Sequence, residues 1–214
     1  MTPQLPRLPP RPAESHKGDF GRVLVVAGSV GMSGAAVLCG HAALRAGAGL
    51  VKVACPAPVQ PVVAQAQPCL MTAPLPACAA GQLTEAALPP LRDLAAWASV
   101  IAFGPGLGQS GAIASVLLGL LHDLDRPLIL DADGLNAMAR LLQHGQAQPR
   151  TAAPLILTPH PGEFKRLLGR ACTAEETPEA ARQLAGTLRA VVLVKGHRTL
   201  ITDGVRLQRN ATGN

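Results

Sequence analysis

Short apolar runs that stop at glycine, proline or aspartate alternate along this chain with longer stretches of helical spacing. Val23–Ala27 is continuously apolar and bounded by glycine, the pattern of a strand buried on both faces. After the turn Gly28–Gly34, Ala35–Ala46 reads as a helix with small residues facing a sheet. Gly47-Ala48-Gly49 breaks it, and Leu50–Ala54 is the next strand. Such a βαβ unit predicts a right-handed crossover. Pro56–Pro90 is rich in Ala, Pro and Gln, and its pattern gives only a short helix around Val59–Gln65 and a minor strand near Met71–Ala73. The alternation then resumes: strand Ser99–Phe103 and helix Ala112–His122, strand Leu128–Asp131 and helix Leu135–Leu142, strand Leu155–Leu157 and helix Glu163–Leu168. Helix Glu179–Arg189 precedes strand Val191–Val194, after which Thr199–Thr202, Asp203-Gly204 and Val205–Gln208 read as a hairpin with a two-residue tip. The predicted fold is a three-layer α/β/α sandwich with a mostly parallel central sheet. Residues 15–214 form one domain behind a Pro- and Arg-rich extended tail, residues 1–14.

Composition narrows what this fold is for. Of 214 residues 48% are hydrophobic but only 2% aromatic, so Val, Leu, Ile and Ala must build the core. The net charge of +6 is scattered along the sequence with no aromatic residues interleaved, which argues against nucleic acid and for attraction of phosphorylated small molecules. The five cysteines show neither a C-x-x-C pair nor zinc spacing, which fits a reducing, cytoplasmic setting. No apolar run is long enough to span a membrane.

The candidate chemistry sits where apolar runs stop. Gly28, Gly31 and Gly34 are spaced as neither a dinucleotide fingerprint nor a Walker loop. They leave a glycine turn with free N–H groups, suited to a ligand or to a plain βα connection. Gly104-Pro105-Gly106-Leu107-Gly108 offers the same two readings. Asp131 and Asp133, two apart at a strand end, start on one face and suit metal or general-base work, or else a helix cap and a loop bond. In Thr158-Pro159-His160-Pro161-Gly162-Glu163 the prolines hold Thr158 and His160 extended, so the imidazole is expected to be presented rather than folded back. Helix is expected only from Gly162-Glu163, with Glu163 at its positive end. Lys195, beside Gly196 at a strand end in a lysine-poor chain, is a candidate for phosphate.

These runs taken together (K-G-D-F-G at Lys17–Gly21, G-P-G-L-G at Gly104–Gly108, D-A-D-G-L-N at Asp131–Asn136 and T-P-H-P-G-E at Thr158–Glu163) resemble the ADP/ATP-dependent NAD(P)H-hydrate dehydratases, from about Ser15 to the last residue. The resemblance implies a ribokinase-like fold and a lyase that repairs hydrated NADH or NADPH. The family takes the S epimer, phosphorylates the ring hydroxyl from ADP or ATP, with Mg²⁺, and eliminates it. The resemblance gives the hydrated substrate to Ala35, Gly106 and His160, and the nucleotide to Lys195, Gly196, His197, Arg198 and Thr199. Asp131, Asp133, Asn136 and Glu163 would support them, with any metal ligands open. It also implies a homotetramer in the full-length protein, and no nucleic-acid or membrane partner is expected. The alternatives are a vitamin-alcohol kinase of the same superfamily and an inactive nucleotide-binding fragment. Asn210–Asn214 resembles the start of the glycine-rich stretch that leads to the family's general-base Asp. The expectation is therefore a chain without its C-terminal part, inactive as it stands, with an apolar patch left exposed on its sheet.

Overall fold

In the computed structural model, residues 9–123, 125–147 and 153–212 are described; Met1–Leu8 of the tail and the final Gly213-Asn214 lie outside that range. Strand β1 (Arg22–Val26) leads into helix α1 (Ser33–Arg45) and β2 (Leu50–Pro56), then α2 (Gln60–Ala66) and β3 (Met71–Leu75). A helix that the sequence pattern does not announce, α3 (Leu88–Trp97), carries the chain to β4 (Val100–Phe103). Its first turn holds Pro89 and Pro90, where a missing N–H costs nothing because those donors have no intrahelical partner. Then come α4 (Gly111–Asp123), β5 (Leu128–Leu130), α5 (Asp133–Gln143), β6 (Leu155–Leu157), α6 (Pro161–Leu168), α7 (Thr177–Leu188), β7 (Ala190–Val194), β8 (Leu200–Thr202) and β9 (Leu207–Arg209).

The nine strands form one sheet in the order β3-β2-β1-β4-β5-β6-β7-β8-β9, parallel through β7 and antiparallel in the last hairpin. The order in which strands are added reverses between the parallel neighbours β1 and β4, so the crevice outside their carboxyl ends is the topological switch point. The edge strand β3 contains Pro74, which a central strand would not tolerate.

Alternation along each strand divides the core in two. Leu24, Val26, Ile101, Phe103, Leu130 and Leu157 face a large cluster closed by α3 to α7. Val25, Val51 and Val53 face a smaller one under α1 and α2. On that second side α1 and α2 cover the β1–β3 region, whereas Ala102, Ile129, Ile156 and Leu193 of the following strands remain partly exposed. The uncovered face opens into a groove of about 1120 Å³ between α1, β1, β4, β5 and the segment Pro9–Ser15. Arg11 pins that segment, donating to Gly47 O at 2.8 Å and lying 3.9 Å from the Phe20 ring centroid. Among the described residues no helix is long and apolar enough to cross a membrane.

The hairpin differs from the expected two-residue tip. Thr202 pairs with Leu207, so Asp203 through Arg206 form the loop. The reason is local: the Asp203 carboxylate accepts from Val205 N (3.0 Å) and Arg206 N (2.7 Å), and Thr202 Oγ1 donates to Arg206 O (2.6 Å). These side-chain bonds stabilise the wider turn.

Candidate functional site

Two glycine loops meet at the switch point. Gly28 N donates to Pro105 O at 2.8 Å, and the buried Ser29 hydroxyl donates to Gly106 O at 2.8 Å. Gly106 has φ +68, and a Cβ there would lie 2.9 Å from Ala35 Cβ, so Ala35 and Gly106 are direct neighbours. Gly104 is more tightly held. At φ +131 its Cβ would stand 1.9 Å from Asp131 O, so only glycine lets the β4 and β5 loops approach this closely.

Asp131 and Asp133 do not form the shared acidic face that their spacing suggests. Ala132 between them adopts φ 49 and ψ −118, which turns the two carboxylates toward different partners. Asp131 Oδ1 accepts from Lys195 Nζ at 2.7 Å. Asp133, only 8% exposed, accepts from Gly108 N (2.9 Å) and from Asn136 Nδ2 (3.2 Å). Asp133 is also not the cap of α5: Ala132 holds that position without a side-chain bond. Among the described residues no group of three His, Cys, Asp or Glu side chains could hold a metal ion.

At the end of β6, His160 has the extended backbone that its two prolines predict, with φ −75 and ψ 167. Its ring, however, is folded back. Nδ1 accepts from Gly162 N (3.0 Å) and Glu163 N (3.4 Å), capping α6, while Glu163 Oε2 accepts from His160 N (2.8 Å). This is a reciprocal capping box with histidine in the usual serine place. Helix accordingly begins one residue earlier than expected, at Pro161, whose fixed φ suits a first helical position. The half-exposed imidazole keeps Nε2, 3.3 Å from Glu163 Oε1, at the surface.

Lys195 joins these pieces. Its N–H donates to Pro159 O at 2.8 Å, and its ammonium sits between Asp131 (2.7 Å) and the buried Glu163 (4.0 Å). On the α1 side, burial and then the charge of Asp131 push the Cys39 thiol up. Beyond Lys195 the chain turns through Gly196, His197 and Arg198, the last at φ +58, and Thr199 Oγ1 closes the turn on Gly196 O at 3.1 Å. A pocket of about 380 Å³ lies here, lined by Lys165, Lys195, His197, Arg198 and Arg209 and, among the described residues, by no acidic side chain. Cations scattered in sequence are thus gathered in space.

The structure places every candidate residue on the carboxyl edge of the sheet. Ala35 and Gly106 touch at the switch point, while His160, Glu163, Lys195 and Asp131 form a second group at β5–β7. Arg166 escaped the sequence reading: its Nη1 donates to Asn136 Oδ1 at 2.7 Å. Its only local signal is standing one turn after Glu163 on α6, and its partner lies thirty residues away.

A parallel sheet, two glycine loops at its switch point and a cationic pocket at the neighbouring strand ends define an α/β protein of the ribokinase-like type. A ribokinase-like superfamily protein from Enterococcus faecalis superposes with a TM-score of 0.78 at 25% identity, over 96% of this chain and 68% of that one. The chain belongs to the NAD(P)H-hydrate dehydratase family, whose profile matches residues 23–214. The bifunctional NAD(P)H-hydrate repair enzyme Nnr of Moorella thermoacetica is 44% identical over 217 aligned positions, covering 97% of this chain but 39% of the relative. The ADP/ATP-dependent NAD(P)H-hydrate dehydratase of Bacillus subtilis, co-crystallised with ATP and Mg²⁺, superposes with a TM-score of 0.74 at 33% identity, over 97% of this chain and 69% of that one.

Proposed function

We propose that this chain carries the substrate-binding and nucleotide-binding parts of a cofactor-repair dehydratase acting on the S epimer of hydrated NADH or NADPH. In the proposed reaction a phosphoryl group passes from ADP or ATP to the ring hydroxyl. Loss of phosphate and of a ring proton then restores the double bond. The match over residues 23–214, whose motifs gather on one sheet edge, is the observation that carries this reading.

The hydrated ring is assigned beside the contact of Ala35 and Gly106, where the absence of a side chain on Gly106 lets the two loops pack against each other at the switch point. The Nε2 edge of His160 is assigned as a polar contact, its other nitrogen being held by α6. The nucleotide is assigned to the pocket lined by Lys195, Gly196, His197 and Arg198, with Thr199 closing their turn, where a cluster of cations suits phosphates. Asp131 holds the Lys195 ammonium in place until phosphate replaces it as partner. Phosphoryl transfer depends mainly on such positioning and on charge stabilisation, to which Mg²⁺ on the phosphates would add. No described residue is assigned as general base.

Incubation with the S hydrate of NADPH, ADP and Mg²⁺ tests this, read as return of dihydronicotinamide absorbance. Isothermal titration of each ligand separates binding from turnover. Phosphorylation of a vitamin alcohol with no binding of the hydrate would replace this reading by that of a small-molecule kinase.

A further inference from the structure

Asp133 is a buried carboxylate in an element that has no other described acidic partner. Its bonds define a continuous chain from the loop after β4 through α5 to α6. Gly108 N–H donates to its Oδ2 (2.9 Å), Asn136 donates to its Oδ1 (3.2 Å), and Arg166 Nη1 donates to Asn136 Oδ1 (2.7 Å). One end of this chain lies two residues beyond Gly106. The other lies on α6, the helix that His160 caps. Arg166 itself is exposed, and its bond fixes the Asn136 amide with oxygen toward α6 and nitrogen toward Asp133. A flipped amide would set its NH₂ against the guanidinium and its oxygen against the carboxylate. Both contacts would be repulsive.

We infer that Arg166 is a positioning residue. By fixing the Asn136 amide it holds Asp133 on the Gly108 N–H, and so registers the glycine loop of β4 against helix α6. The inference rests on the functional reading above only in its consequence for the substrate. With the hydrate between Gly106 and His160, the two walls of its site are held in mutual register through Arg166. The Lys195 corner of the nucleotide pocket is anchored separately, on Pro159 O and Asp131, so ADP binding depends less on this chain although Lys165 of α6 also lines that pocket.

The test compares Arg166→Gln and Arg166→Lys with the unchanged chain. Amide exchange at Gly108 is followed by NMR, and affinities for the NADPH hydrate and for ADP by calorimetry. Loss of one charge-assisted bond corresponds to a change of about tenfold. In Arg166→Gln, Gly108 exchange is expected to accelerate about tenfold, with hydrate affinity falling by a similar factor and ADP affinity within about twofold of the unchanged chain. Arg166→Lys, which keeps a cationic donor, should recover most of both losses. A merely structural Arg166 would lower Tm and weaken both ligands together. Unchanged Gly108 exchange in a folded Arg166→Gln overturns the inference, as does an equal loss for hydrate and ADP. If the unchanged chain binds neither ligand, the functional reading has failed, and Gly108 exchange alone decides the role of Arg166.

Discussion

His160 joins two tasks in one ring. Nδ1 accepts the first N–H groups of α6, and Nε2 remains at the surface beside Glu163. Substitutions separate the two. His160→Ala removes both the cap and the ring, and a lost N-cap costs about 1 kcal/mol. His160→Asn supplies a good capping side chain but no Nε2. Thermal unfolding should therefore show a lower Tm for His160→Ala and a near-normal one for His160→Asn, while calorimetry shows both weakened toward the NADPH hydrate. If His160→Asn binds the hydrate as the unchanged chain does, the imidazole is a cap and nothing more. The sequence announced the extended backbone of His160 through its flanking prolines. It could not announce the capping, because a histidine cap depends on a rotamer that only the finished helix selects.

Where elements meet, the controlling feature is the close approach of the β4 and β5 loops. Gly104→Ala would press a Cβ against Asp131 O in a backbone conformation already unfavourable for alanine. The expected cost is about 3 kcal/mol or more, measured by urea denaturation. A variant as stable as the unchanged chain would show that this junction yields. The last hairpin responds instead to pH. The backbone N–H of Arg206, then its guanidinium, then the backbone N–H of Val205, lower the Asp203 carboxyl to about 2 against an ordinary 3.8. Its contribution is therefore complete above pH 3.8 and disappears as pH falls through about 2. The Arg206 amide resonance should titrate with a midpoint near 2, and that titration should be absent in Asp203→Asn. Most strands were legible because buried parallel strands are short, continuous apolar runs. Helix α3 was not, since prolines that read as a loop signal in sequence serve as its first turn. Asp131 and Asp133 misled for a related reason: strand alternation stops at Ala132, whose positive φ no side-chain pattern encodes.

Across the whole molecule the two faces of the sheet are unequal. One lies under α3 to α7, while on the other Ala102 and Ile129 line the 1120 Å³ groove and Ile156 and Leu193 beside it stay partly open. An apolar surface of this kind should bind 8-anilinonaphthalene-1-sulfonate and bring chains together as concentration rises, read by dye fluorescence and light scattering. The sheet's rims behave differently. Pro74 leaves β3 short of a donor, and β9 is only three residues long, ending at Arg209. Neither rim offers the long, flat, unpaired ladder on which a further strand could template itself. Any clumping of this protein should therefore be amorphous and reversible on dilution, with thioflavin T silent throughout; a thioflavin-positive fibre grown from the folded chain would mean that Pro74 does not protect the rim it occupies.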